Sequence, residues 1–229
     1  SDLVVTELTS PSDLAERIDS ALPQTQCTRC AYDDCASYAQ AVACGAAGIN
    51  QCPPGGSEGI ARLAALTGRP FEPLNPANGS EGPRRVAFID EAWCIGCTLC
   101  LVVCPTDAII GTNKRMHGVV EPYCTGCELC IPVCPVDCIE LETVTGEHTG
   151  WAAWSPDQAA MARDRYEFHR VRKARDATAH AEKLEKKAEM KLADLAAHSQ
   201  HTDPLILDKK RLVIEAALAR ARAKRAGGD

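Results

Sequence analysis

The sequence predicts an α+β chain in three parts: a small helical, cysteine-rich N-terminal domain, a short segment made twice over from strand, loop, helix and strand, and a long helical C-terminal extension. Three observations predict it. All fourteen cysteines lie between Cys27 and Cys138, and the last 91 residues have none. The stretch "CIGCTLCLVVCPTDAI", from Cys94, recurs thirty residues later as "CTGCELCIPVCPVDCI", from Cys124, without a gap. From Asp157 to His198 there is neither Gly nor Pro, and Ala, Arg, Lys and Glu dominate.

Each element has a local reason. Ser10 can cap a helix whose first position is Pro11, with apolar Leu14, Ile18 and Leu22 at four-residue steps, ending near Pro23. The stretch "CASYAQAVAC" reads as a second helix, and "SEGIARLAALTG" as a third that stops at Gly68. Residues 1–68 thus form one domain. Four prolines and several Gly, Asn and Ser in "RPFEPLNPANGSEGPRR" mark residues 69–85 as a linker. In residues 86–150, "RRVAFID" and "GVVEP" precede the two cysteine runs as strand candidates, and "DAIIG" and "DCIELE" follow them. Residues 151–229 are the extension. Ser155, Pro156 and Gln158 make a capping box for its first helix, and Asp203 and Pro204 restart a second that ends at Gly227. Their apolar positions are mostly Ala, which suits an extended helical hairpin or a partly disordered arm.

The chain is 45% hydrophobic but only 4% aromatic, so the doubled segment needs a staple besides its core. Charge is unevenly shared: residues 1–154 carry a formal −11 and residues 155–229 a formal +5. The basic tail is either a solvated helix or an arm that docks on an acidic partner or membrane surface. No apolar run approaches the ~20 residues that span a bilayer, and the N-terminal stretch has no export signal. A cytoplasmic protein is expected, in which clustered thiols are metal ligands rather than disulfides.

Each run has the form C-x2-C-x2-C-x3-C-P. Three thiolates spaced this closely can wrap one face of a four-iron cubane, and a fourth must come from elsewhere. Zinc also takes four thiolates, but zinc ribbons separate their pairs by a dozen or more residues. The runs resemble those of two-cluster bacterial ferredoxins, in which the last cysteine of each run serves the other cluster. That resemblance implies a two-cluster ferredoxin-like domain with Cys94, Cys97, Cys100 and Cys134 around one 4Fe-4S cluster and Cys104, Cys124, Cys127 and Cys130 around another.

Upstream, "CTRCAYDDCASYAQAVACGAAGINQCPPGG" is similar to the cluster domain of the RnfB family in Rnf-type electron transport complexes, where ligands follow C-x2-C-x4-C-x16-C. "NKRMHGVVEPYCTGCELCIPVCPVDCIEL" resembles the same family, and the likeness covers roughly residues 10 to 147. It implies a third 4Fe-4S cluster on Cys27, Cys30, Cys35 and Cys52, with zinc as the alternative there. The family usually has Gly where this chain has Thr28 and Ala31, and its members typically begin with a transmembrane helix; membrane association is therefore expected to be peripheral. Cys44 and Cys138 fall outside both patterns and are expected to fill core space, Cys138 in the place that the first copy gives to Ala108. Asp107 and Asp137 are expected to cap the turns after each "CP", Trp93 and Tyr123 to pack over the clusters, and His117 to lie at the surface.

No run lacks its fourth thiolate, so no open iron site for a substrate is expected. The function expected is one-electron transfer by three 4Fe-4S clusters. The resemblance implies exchange between soluble ferredoxin and the membrane proteins of an Rnf-type complex; a ferredoxin serving a soluble oxidoreductase is the alternative. A cluster sensor binding nucleic acid fits poorly, since the basic tail lacks interleaved aromatics.

Overall fold

The computed structural model describes residues 10–226; the first nine residues and Gly227, the expected helix stop, lie outside them. Contacts divide the chain into two units, Ser1–His169 and Arg170–Asp229.

In the first unit, three helices, α1 (Pro11–Ala21), α2 (Cys35–Ala43) and α3 (Gly56–Thr67), enclose one core. Ser10 caps α1 in a full capping box with Asp13 at N3, and α3 ends at Gly68 with a left-handed φ of 70°. Ile18, Leu22, Tyr38, Val42, Ile49, Ile60 and Leu63 fill the centre. Tyr38 is the largest of these, and its hydroxyl donates to the Gly48 carbonyl at 2.8 Å and accepts from the Gln51 amide at 3.2 Å. The irregular backbone before Cys52 is thereby paired with a side chain where no ladder is available.

The segment 69–85 is tied down rather than loose. The Asn50 side chain donates to the Pro73 carbonyl at 2.8 Å, and Asn78 reaches the Arg29 carbonyl at 2.9 Å. Glu81 accepts from the Ser57 amide, at the start of α3, at 2.8 Å and from the Thr149 hydroxyl at 2.7 Å. Partial burial pushes this carboxyl up, but the Thr149 and Ser57 bonds outweigh it and hold it below its ordinary value of 4.5. A depressed native pKa adds stability above the unfolded value, lost as pH falls through the native one. Glu81→Gln should therefore melt below wild type at neutral pH, and the two melting curves should converge as pH is lowered past 4.5.

The doubled segment holds β1 (Arg85–Ile89), α4 (Leu99–Val103), β2 (Ile109–Ile110), β3 (Gly118–Val119) and β4 (Ile139–Thr143). β1 pairs antiparallel with β4, Ile89 opposite Ile139, and β2 with β3, Ile109 opposite Val119. Adding thirty to 89 gives 119, and subtracting thirty from 139 gives 109. Each copy's first strand therefore pairs with the other copy's last, and the two halves are related by a local twofold. One difference breaks it. The first copy has the helix α4, but the second has only turns there, because Pro132 stands where α4 has Val102 and brings no N–H to a helical bond.

Residues 150–169 belong to this unit. Trp151, Trp154, Ala159 and Ala162 form a small core, and Trp154 donates its indole N–H to the Pro23 carbonyl at 2.8 Å. α5 (Pro156–Ala193) starts on the expected box, with Ser155 and Gln158 bonded reciprocally at 2.9 and 3.1 Å. In the second unit, the later turns of α5 and α6 (Pro204–Ala226) form a hairpin fastened by Arg222 to Glu185 and Glu189 and by Arg225 to Glu185. Among the described residues no helix is long and apolar enough to cross a membrane. The whole is a mixed helix-and-strand chain with a long C-terminal helix.

Candidate iron–sulfur centres

Three small cavities in the first unit are lined by cysteines. Cys27, Cys30, Cys35 and Cys52 line the first, with Leu22, Thr25 and Tyr38. Cys104, Cys124, Cys127 and Cys130 line the second, with Ala87 and Ile109. Cys94, Cys97, Cys100 and Cys134 line the third, with His117 and Cys138. The structure thus brings each expected foursome together, and in the doubled segment each cavity takes its fourth sulfur from the other copy.

The loops are wound so that the thiols face inward. Gly96 and Gly126 share φ +68°, Thr98 and Glu128 stand at +66° and +68°, and Asp107 and Asp137 both at +49°. A Cβ on Gly126 would lie 2.2 Å from the Arg85 carbonyl oxygen, and one on Gly96 would lie 2.5 Å from the Arg115 amide nitrogen. Glycine is needed at both because backbone passes directly over them. The N-terminal loop has the same left-handed winding with side chains present: Thr28 is at φ +58° and Ala31 at +68°. Both carry a backbone strain of about 1 kcal/mol that glycine would not.

Backbone amides point at sulfur. The Ala108 amide donates to Cys104 Sγ at 3.2 Å and the Ala87 amide to Cys124 Sγ at 3.4 Å. Burial is the first cause of the thiols' basicity: it pushes Cys35 and Cys52 well up, Cys100 to about 11, and Cys127 and Cys130 to about 12. Cys134 differs. Burial raises it, but the Cys138 amide and its other hydrogen bonds outweigh burial and leave it below an ordinary thiol. Sets that stay protonated when empty must release protons on binding a cationic centre.

Neighbouring residues depart from expectation in four places. His117 is buried, only 1% exposed, with Nδ1 3.5 Å from Cys94 Sγ and 3.7 Å from Cys100 Sγ; strand pairing, invisible in a local reading, carries it there. Trp93 is 69% exposed and covers nothing, because its place before Cys94 turns it outward. Cys44 is exposed at the end of α2, beyond the face that Tyr38 and Val42 bury. The Asp107 carboxylate meets His169 Nδ1 at 2.8 Å, a long-range partner rather than a local turn. Tyr123 is half-buried, with the Arg165 guanidinium 3.6 Å over its ring. Cys138 is buried as expected, but its Sγ lies 3.5 Å from that of Cys134.

Two joints connect the cavities. The Thr125 hydroxyl, beside Cys124, donates to the Thr25 carbonyl near Cys27 at 2.9 Å. Arg29 and Arg85 both pair with Glu128, which follows Cys127. On the other side, Arg165 donates to the carbonyls of Thr106, at 2.6 Å, and Asp107, at 3.2 Å, clasping the loop after Cys104. Among the described residues no three His, Cys, Asp or Glu side chains are grouped to hold one metal ion. The thiols of each set stand around a space.

Comparison with known proteins agrees with this chemistry. Residues 87–141 match the family described as "4Fe-4S dicluster domain", and residues 22–54 match that described as "Putative Fe-S cluster". The RnfB-type component of the ion-translocating oxidoreductase complex of Azoarcus sp. (strain BH72) is 60% identical over 138 residues, 60% of this chain and 75% of that protein. The corresponding proteins of Pseudomonas paraeruginosa and Serratia proteamaculans are each 51% identical, over 152 and 138 residues, covering 66% and 60% of this chain and 79% and 72% of theirs. No solved structure matches the chain. With the iron–sulfur segments and the relatives in agreement, the chain belongs to the RnfB family of ion-translocating oxidoreductase complexes, iron–sulfur proteins of electron transport.

Proposed function

We propose that the protein holds three 4Fe-4S clusters and passes single electrons along them within an ion-translocating oxidoreductase complex. Cys27, Cys30, Cys35 and Cys52 would hold one; Cys104, Cys124, Cys127 and Cys130 a second; Cys94, Cys97, Cys100 and Cys134 a third. On this reading residues 1–68 are the N-terminal cluster domain, 69–85 a connecting segment, 86–150 a two-cluster ferredoxin-like domain and 151–229 a basic helical extension. The bound centres supply one-electron exchange at potentials that burial and hydrogen bonds to sulfur adjust.

The observation that carries the reading is the row formed by the cavities. Thr25 lines the first and Thr125 the second, and one hydrogen bond joins them. The second and third are joined by exchanged cysteines, Cys104 and Cys134. The residues fit cubanes better than zinc, which would draw four sulfurs to about 2.3 Å from one centre. The chain's own part is to keep the thiols dry, aim the amides of Ala87 and Ala108 at sulfur, and hold the three sets in fixed order. The names of the relatives make other members of the redox complex the partners, and peripheral association with the cytoplasmic face of the inner membrane the expected location.

Anaerobic purification with iron analysis and a redox titration followed by low-temperature EPR tests this. About twelve irons per chain, as three four-iron signals, are expected. About eight irons with bound zinc would remove the N-terminal cluster.

A further inference from the structure

The twofold relation within the doubled segment makes His117 conspicuous. Shifted by thirty residues, it corresponds to Ala87. Ala87 lies over the second cavity, where only its backbone amide addresses Cys124 Sγ, at 3.4 Å. His117 occupies the matching place over the third cavity and brings a ring nitrogen to two sulfurs, 3.5 Å from Cys94 Sγ and 3.7 Å from Cys100 Sγ. One side of an otherwise symmetric pair thus has an extra donor.

The surroundings show a loop built around this ring. Gly111, at φ +151°, passes so close that a Cβ on it would lie 2.1 Å from His117 Cδ2. Nε2 is buried with no hydrogen-bond partner. The sulfur contacts are therefore the hydrogen bonds that offset burial of a polar ring. With the proton on Nδ1, the partnerless Nε2 is an acceptor, the milder kind of unsatisfied atom. A ring that merely filled space could turn either nitrogen anywhere; this one faces sulfur.

We propose that His117 is a tuning residue: its Nδ1–H donates to the sulfurs of the Cys94 set and holds the centre there at a higher reduction potential than the one in the Cys104, Cys124, Cys127 and Cys130 set. A hydrogen bond to sulfur stabilises the more negative, reduced form, so a set with the additional donor is the easier to reduce. The two halves of the repeat are then unequal, with a downhill step from the second cavity to the third. This rests on the three-cluster reading above.

Full-length wild type, His117→Ala and His117→Gln, purified anaerobically, would be compared by iron content and by EPR-monitored redox titration. His117→Ala installs the residue that the matching site already tolerates. The expected result is unchanged iron, a shift of one of the three midpoint potentials to more negative values in His117→Ala, and partial recovery in His117→Gln, whose amide can donate. Unchanged potentials in His117→Ala, movement of all three together, or iron loss in both variants would overturn the role of His117 while leaving the three-cluster reading standing. Wild type without cubane signals would overturn that reading itself.

Discussion

Cys104→Ala should cost the protein about four of its twelve irons and lower its melting temperature sharply. Cys104 is buried at the end of α4 and is the one sulfur in the second cavity contributed by the first copy. Its loss would leave three buried thiols around an incomplete centre and remove the bond that ties the copies across the local twofold. Binding free energy at such sites is folding free energy, and a segment this small has little core in reserve. No other sulfur can step in, because the residue four places on is Ala108. Cys138→Ala is the paired control. It touches Cys134 but adds a fifth sulfur to a set of four, so its iron count should equal that of wild type. Loss of iron from Cys138→Ala would show that the third set has been assigned to the wrong cysteine.

Gly126→Ala should destabilise the doubled segment by about 3 kcal/mol, enough to shift a urea melt clearly even with iron bound. Two costs combine. The residue sits at φ +68°, where an L side chain costs about 1–2 kcal/mol. Its new Cβ would also meet the Arg85 carbonyl oxygen at 2.2 Å, and that oxygen belongs to β1, which cannot retreat without straining its pairing with β4. Gly96→Ala should behave alike, since the Arg115 backbone crosses it in the same way. Equal stability of Gly126→Ala and wild type would mean that the loop and strand can part without cost. The reverse change at the N-terminal set, Thr28→Gly, should be neutral or slightly stabilising, because it removes a strained conformation already present.

What could be read from the sequence follows from distance along the chain. Caps and stops such as Ser155, Gly68 and Pro204 act over three or four residues and were legible. So were the cysteine spacings, because a loop that wraps a centre must be local. The order of the strands and the thirty-residue offset were equally visible in the repeat. The place of His117 was not: it depends on β3 lying against β2, which brings residue 117 over Cys94. The hold of α5 on the loop after Cys104 was hidden in the same way, since Arg165 and Thr106 are far apart in sequence. Cys44 misled because free cysteine is usually buried, whereas the chain here turns outward as it leaves α2. The proline-rich stretch 69–85 looked loose by composition, and only the partners of Asn50, Asn78 and Glu81 make it part of the body.

The bond between Thr125 and Thr25 has one more consequence. Electron tunnelling weakens exponentially with separation, so the gap between donor and acceptor centres governs the rate more steeply than almost any other variable. If the first two cavities were joined only through residues 69–85, that gap would vary with every motion of the connection. Instead the loop of one set is fastened to the loop of the other through a buried hydroxyl and a backbone carbonyl 2.9 Å apart. The threonine works as a ruler, setting one tunnelling distance for every molecule.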